Sequence, residues 1–164
     1  MTRIGLGYDC HRLAPGRRLI LGGVEIEHDL GLEGHSDADV LTHAIIDALL
    51  GAAALGDIGQ HFPDTDDRYR DADSLELLRR TVALLPEAEL EVVNVDATVV
   101  LESPALSPHR EAICARLAQA LGIDPGRVSV KATRGEGMGF VGRGEGAAAL
   151  AVAALRPLRT GRAG

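Results

Sequence analysis

The chain opens on strict alternation. Ile4, Leu6 and Tyr8 alternate with Gly5 and Gly7, a period-2 strand whose glycines predict close approach of another backbone. That strand runs into Asp9-Cys10-His11, and Pro15-Gly16 marks a loop. Leu19-Ile20-Leu21 and Val24-Glu25-Ile26-Glu27 flank Gly22-Gly23, the signature of a short hairpin. The period then changes. Val40, Leu41, Ala44, Ile45, Ala48 and Leu49 recur at helical spacing toward Leu55, with Ser36 or Asp37 as the cap and Gly56 as the stop. The segment from Asp57 to Asp67 is rich in turn formers and predicts a loop. Asp73 or Ser74 opens a second helix over Leu75 to Leu85, which Pro86 ends. Leu90 to Glu102 reads as a β-branched strand. Ser107-Pro108 and Gly122 bound a third helix, Val128 to Thr133 is a further strand, and Arg134 to Gly146 is a glycine-dense loop. Ala147 to Leu155 fits an alanine-rich helix and the last strand of a sheet equally well.

This order of elements predicts a sheet packed against helices, an α+β or α/β sandwich. At 164 residues the chain can bury one proper core and is short for two. Aromatic residues make up only 2% and Trp is absent, so that core must be built from Ala, Val, Leu and Ile, and oligomerisation would support it. A net charge of −7 leaves no basic field to attract phosphate backbones, which argues against nucleic acid as a partner. Cys10 and Cys114 are too few for a disulfide framework; both are expected in buried structure, in a reducing cytoplasmic setting. The apolar pattern starts at Ile4, leaving no room for a secretory leader. The longest apolar run, Gly146 to Leu155, falls well short of the roughly 20 residues of a membrane span.

Chemistry concentrates in two stretches. Asp9 and His11 are two apart at the end of a strand and share a face, and His43 lies one to two turns inside the first helix. Two imidazoles and a carboxylate with a fourth position open make a catalytic-type zinc set. Asp39 and Asp47, four residues either side of His43, could accept its second ring N–H. Taken alone, the same residues also fit a turn and a solvated helix stripe. His35-Ser36 at the helix start suits either a phosphate or an ordinary cap. The carboxylates between Asp57 and Asp66 suit sugar hydroxyls or plain turns; the Gly135 to Gly146 loop can offer amides to a phosphate, with Glu136 for a hard cation such as magnesium. Lys131, the only lysine, fits a solvated strand edge.

In combination, several stretches resemble one family, the 2-C-methyl-D-erythritol 2,4-cyclodiphosphate synthases of the non-mevalonate isoprenoid pathway. They are Gly7-Tyr8-Asp9-Cys10-His11, Gly34-His35-Ser36-Asp37-Ala38-Asp39-Val40, the run Leu49 to Gly59, Phe62-Pro63-Asp64-Thr65-Asp66, and Lys131-Ala132-Thr133 through Gly146. They follow family order over nearly the whole chain.

The resemblance implies a single α+β domain over residues 1–160 with a flexible tail at 161–164. Its mixed sheet would pack against helices as a chorismate-mutase-like or ferredoxin-like sandwich and assemble as a homotrimer. It implies zinc or a similar ion on Asp9, His11 and His43, and magnesium or manganese with Glu136 on the substrate diphosphate. It gives catalytic roles to His35, Thr133 and Arg134. The CDP-linked substrate would meet Asp9, His11, His35, Ser36, Asp57, Ile58, Gly59, Phe62, Asp64 and Asp66, and also Leu101, Leu106, Thr133, Glu136, Phe140 and Arg143. Active sites would lie between subunits, with an isoprenoid diphosphate in a central cavity near Arg143 and Glu145. The implied activity releases CMP and forms a cyclic diphosphate; a zinc-dependent phosphohydrolase is the alternative, and a non-catalytic prenyl-diphosphate binder a third. The chain departs from the family at Arg134, where threonine is common, at Gly135 and Gly137 in place of bulkier polar residues, and at Ala105 in place of lysine.

Overall fold

The computed structural model describes residues 1–158; the tail expected at 161–164 lies outside them. Five strands form one mixed sheet in the order β4 (Leu30–Glu33), β1 (Arg3–Pro15), β7 (Gly146–Pro157), β5 (Leu90–Val100), β6 (Val128–Thr133). All neighbours are antiparallel except β5 and β6, which are parallel and joined through α4 (Arg110–Leu121). The undecided segment after Gly146 is thus a strand at the centre of the sheet: β7 bonds to both β1 and β5. Alanine favours a helix by propensity, but pairing on two sides overrides it.

Helices α1 (Val40–Ala53), α3 (Ser74–Leu84) and α4 form a layer on one face of the sheet. Nearly every residue of α1 is buried, Asp47 and Gly51 being the exceptions, as expected of a helix apolar all round. Its bed is made of small residues. Gly5 and Gly7 of β1 face it, and a Cβ on either would lie 2.0 Å from the Ala48 carbonyl oxygen or 1.8 Å from that of Ala44. Ala147, Ala149, Ala151 and Ala153 of β7 continue that bed. The opposite face of the same strands carries Ile4, Leu6, Tyr8, Leu150 and Val152, all exposed.

The cap of α1 is Asp39, not Ser36 or Asp37. Its fully buried carboxylate accepts hydrogen bonds from Thr42 N and Oγ1 and from the amides of Gly22 and Gly23. Both glycines have positive φ, 57° and 71°, as the two-residue turn between β2 (Leu19–Leu21) and β3 (Val24–Ile26) requires. One side chain thereby starts the helix and clamps the hairpin. Burial, and then the charge of Asp37, push the Asp39 carboxyl above its ordinary pKa against these four bonds. The helix stops at Ala54, left-handed with φ 59°, two residues before Gly56.

Other boundaries shift for local reasons. β4, absent from the pattern because it is four residues long, pairs with the end of β1. Short helices α2 (Ile58–His61) and α5 (Gly139–Gly142) interrupt the two predicted loops. α3 is capped by Asp73, and α4 is entered through a 3₁₀ turn at Ser107–His109 without a side-chain cap. Cys10 is exposed on the outer sheet face rather than buried, since it alternates with Asp9 and His11; Cys114 is half-buried against the core. Lys131 is exposed on edge strand β6 and paired with Asp96. No helix among the described residues is long and apolar enough to cross a membrane.

Two glycine substitutions separate packing from propensity. Gly7→Ala drives a methyl into the α1 backbone and should cost about 3 kcal/mol or more in urea denaturation. Gly51→Ala, on the solvent side with nothing within 4 Å of a new Cβ, should stabilise by about 0.5–1 kcal/mol.

Candidate metal centre

The tight bed under α1 brings His43, beside Ala44, against the end of β1. His11 Nε2 lies 2.9 Å from Asp9 Oδ2, His43 Nδ1 lies 3.1 Å from the same oxygen, and the two ring nitrogens are 3.2 Å apart. His11 uses its Nδ1–H to donate to the Glu33 carbonyl of β4, 2.9 Å away, because a carbonyl can only accept. Its Nε2 lone pair therefore faces Asp9 and His43. Lone pairs of a carboxylate and an imidazole converge with His43 Nδ1 on one point, and only a cation there relieves them.

The separations match a metal. Tetrahedral zinc with bonds of about 2.0 Å sets its ligands roughly 3.3 Å apart. Asp9, His11 and His43 are also the one group among the described residues whose ligand atoms cluster closely enough to hold an ion. The residues fit a divalent ion with one position open toward the cleft. Burial by itself would raise the Asp9 carboxyl, but the His11 and His43 rings packed against it outweigh burial and bring its pKa to about 2. Burial likewise opposes a charged His11, and the bond and charge of Asp9 reverse the balance, so that its pKa lies above the ordinary histidine value.

The far side of His43 holds what the sequence missed. Its Nε2 lies 2.9 Å from Ser74 Oγ and 3.1 Å from Ser36 Oγ. Asp39 and Asp47 do not reach it: Asp39 is committed to its cap, and Asp47 accepts from Ile58 N at 2.8 Å. Ser74 was readable only as a helix start, since nothing in a linear pattern tells that α3 begins against α1.

A cleft of about 420 Å³ opens beside this cluster. Asp9, His11, His35, Ser36, His43, Ile58, Gly59, Phe62 and Asp64 line it, as do Gly34, Tyr69 and Leu77. His35 and Ser36 lie in the turn ahead of Asp39, the cap of α1, rather than at the helix start itself. His35 Nε2 is 3.1 Å from the Asp66 carbonyl and its own carbonyl accepts from Asp71 N, so two loops are stapled across the cleft mouth. Phe62 packs edge-on to Tyr69 with ring centroids 5.5 Å apart. Asp57 and Asp66 spend their carboxylates on local caps, to Gln60 N and to Arg68.

The remaining predicted residues lie elsewhere in this chain. Leu101, Leu106, Thr133 and Arg134 line a second cleft of about 190 Å³ with Ala105. Glu136, Phe140 and Arg143, in and around α5, line neither of these two clefts. Glu136 has a φ of 53°, and Arg143 is paired with Glu145 at 2.7 Å. Glu102 accepts from Gly135 N at 2.9 Å and so anchors the glycine loop beside the second cleft.

The model of the YgbB family matches residues 2–156. The chain belongs to that family. Among curated relatives of this YgbB chain is the 2-C-methyl-D-erythritol 2,4-cyclodiphosphate synthase of Salinibacter ruber, 60% identical over 94% of this chain and 98% of that protein. Another is the synthase of the same name from Symbiobacterium thermophilum, 60% identical over 93% and 97%. The bifunctional IspDF structure from Campylobacter jejuni superposes with a TM-score of 0.93 at 42% identity, covering 96% of this chain but only 43% of that one. The Plasmodium falciparum IspF–CDP complex superposes at 0.85 and 32% identity over 96% of this chain and 97% of its own. The YgbB assignment agrees with the family read from the motifs.

For this YgbB chain, His43→Ala should leave circular dichroism unchanged and abolish stoichiometric zinc after dialysis, as read by elemental analysis. Zinc retained at one equivalent would remove His43 from the ligand set.

Proposed function

We propose that the protein is a 2-C-methyl-D-erythritol 2,4-cyclodiphosphate synthase. It converts 4-diphosphocytidyl-2-C-methyl-D-erythritol 2-phosphate to the 2,4-cyclodiphosphate and CMP. The observation that carries this reading is the convergence of Asp9, His11 and His43 on one point, open to a cleft that His35 and Ser36 also line. The full-length match to synthases in two bacteria supports it.

The chemistry is an intramolecular phosphoryl transfer. An oxygen of the 2-phosphate attacks the β-phosphorus, the bond to the α-phosphate oxygen breaks, and CMP leaves with that electron pair. The protein has little covalent work to do; it must fold the substrate so that entering and leaving oxygens are in line, and offset charge on the phosphates. When bound to Asp9, His11 and His43, zinc or a similar divalent ion supplies Lewis-acid stabilisation of phosphate oxygens. His35 and Ser36 grip the 2-phosphate or the diphosphate, Ser36 through its hydroxyl and His35 through a ring that the Asp66 carbonyl orients by engaging Nε2. Ile58, Gly59, Phe62, Asp64 and Asp66 enclose the methylerythritol and, with Asp57, the ribose. Phe62 and Tyr69 keep bulk water from the reacting phosphate, hydrolysis being the side reaction to exclude.

Leu101, Leu106, Thr133, Arg134, Glu136, Phe140 and Arg143 belong to the same reaction by way of a neighbouring copy, in a cytoplasmic homotrimer with its sites between subunits. Their separation from the metal cluster within one chain supports this division, and so does the apolar outer face of β1 and β7 with Ile4, Leu6, Tyr8, Leu150 and Val152 exposed. Thr133 and Arg134 stabilise the transition state, Glu136 would hold magnesium or manganese, which would offset charge on the substrate diphosphate, and Arg143 with Glu145 faces a central cavity suited to an isoprenoid diphosphate.

Two measurements test this. Incubation with the CDP-linked 2-phosphate should release CMP and a cyclic diphosphate in equal amounts, and chelation should cut the rate by at least about 100-fold. A linear product labelled from heavy-oxygen water would instead favour the zinc phosphohydrolase. In sedimentation the protein should run as a trimer, and Leu6→Glu with Leu150→Glu should yield monomers with little activity; a fully active monomer would refute the shared site.

A further inference from the structure

We propose that Ser74 and Asp37 form a positioning relay that sets the tautomer of His43 and so readies it for the metal. The inference rests on the metal-centre reading above. Ser74 is the first residue of α3 and fully buried, and its hydroxyl has two partners. On one side Oγ contacts Asp37 Oδ1; on the other it lies 2.9 Å from His43 Nε2. Asp37 Oδ2 also accepts from Ser74 N at 3.0 Å, so the carboxylate holds the serine by main chain and side chain together.

Proton positions along this chain follow from chemistry. An ionised carboxylate only accepts, so the Ser74 hydroxyl donates to Asp37. Its lone pairs are then turned toward His43 and can only accept, which requires a proton on His43 Nε2. Neutral imidazole carries one such proton, so Nδ1 is left with its lone pair, directed at Asp9 and His11. A ligating histidine commonly has its second nitrogen fixed by a carboxylate or carbonyl. His11 obtains this from the Glu33 main chain, which no side-chain substitution can remove. His43 obtains it from side chains alone. Ser36 Oγ, at 3.1 Å, is a second acceptor for the same N–H, but it already receives Ala38 N and has no carboxylate behind it to fix the direction of its own hydroxyl.

The start of α3 does not depend on the Ser74 hydroxyl. Asp37 N bonds to the Ala72 carbonyl at 3.1 Å and Asp73 caps the helix, so removing the Ser74 hydroxyl leaves the cap and both backbone bonds to Asp37 in place. Ser74→Ala therefore tests the relay without undoing the helix.

The experiment is competition of zinc against a chromophoric chelator for wild type and Ser74→Ala, alongside nitrogen-15 NMR of the His43 ring in metal-free wild type. Ser74→Ala should keep the wild-type circular dichroism and bind zinc about 10–100-fold more weakly. The His43 ring of the unaltered protein should carry its proton on Nε2. An affinity within about threefold of wild type, or a proton on Nδ1, would overturn the relay; the ring measurement needs no variant and decides the matter even if Ser74→Ala fails to fold. Wild type that takes up no zinc would overturn the metal centre itself, whereas wild type that binds and a variant that binds equally would overturn the relay alone.

Discussion

The structure depends on how closely α1 lies against β1. A helix normally rides on a sheet with side chains between them, but here the Ala44 and Ala48 carbonyls sit where a Cβ of Gly7 or Gly5 would be. That contact draws the helix inward, and the buried alanines at 147, 149, 151 and 153 of β7 extend the same small-residue bed. Because Asp9 and His11 follow Gly7 on the same strand, and His43 precedes Ala44 on the helix, the same contact fixes the reach between ligands. Packing and chemistry are therefore one constraint, read at neighbouring residues.

Electrostatics then make the convergence useful. Asp9 is held ionised down to about pH 2, while His11 and His43 each have an outer nitrogen engaged by an acceptor and an inner nitrogen turned to Asp9. Such a cluster is under-compensated until a cation enters, so the fold stores part of its affinity as preorganisation rather than acquiring it on binding. Asp39, fully buried where Asp9 is only partly so and with four donors around it, shows the contrasting solution: a carboxylate satisfied entirely within the protein and serving only architecture.

The cleft beside the cluster and the second cleft by Thr133 lie in separate parts of one chain. β5 and β6 lead to Leu101 and Thr133 toward one edge of the sheet, while β1 and the helix packed on it, α1, hold the metal ligands toward the other. An apolar sheet face left exposed among the described residues accompanies this separation. In the trimeric reading both features have one cause: the chain is half of each site and lacks one layer of its own core.

Much of this was legible in the amino-acid order. Alternation exposed β1, β-branched content exposed β5, helical spacing exposed α1, and the pair Asp9 and His11 shared a face because a strand has a period of two. His43 could be nominated by residue type, and the ordered motifs pointed to the family that the comparison with relatives then identified. What order could not decide was anything set by contact across the chain. β7 became a strand because β1 and β5 bond to it on both sides, against the helical propensity of its alanines. Cys10 came to the surface because no second layer covers the outer face of the sheet among the described residues. Asp39 was drawn from the metal to the hairpin glycines, and Ser74 took its place behind His43, because only packing determines which of several equally spaced polar side chains meets the ring. Sequence determined which groups were available and on which face; tertiary structure decided their partners, since hydrogen bonds depend on distances that spacing along the chain does not contain.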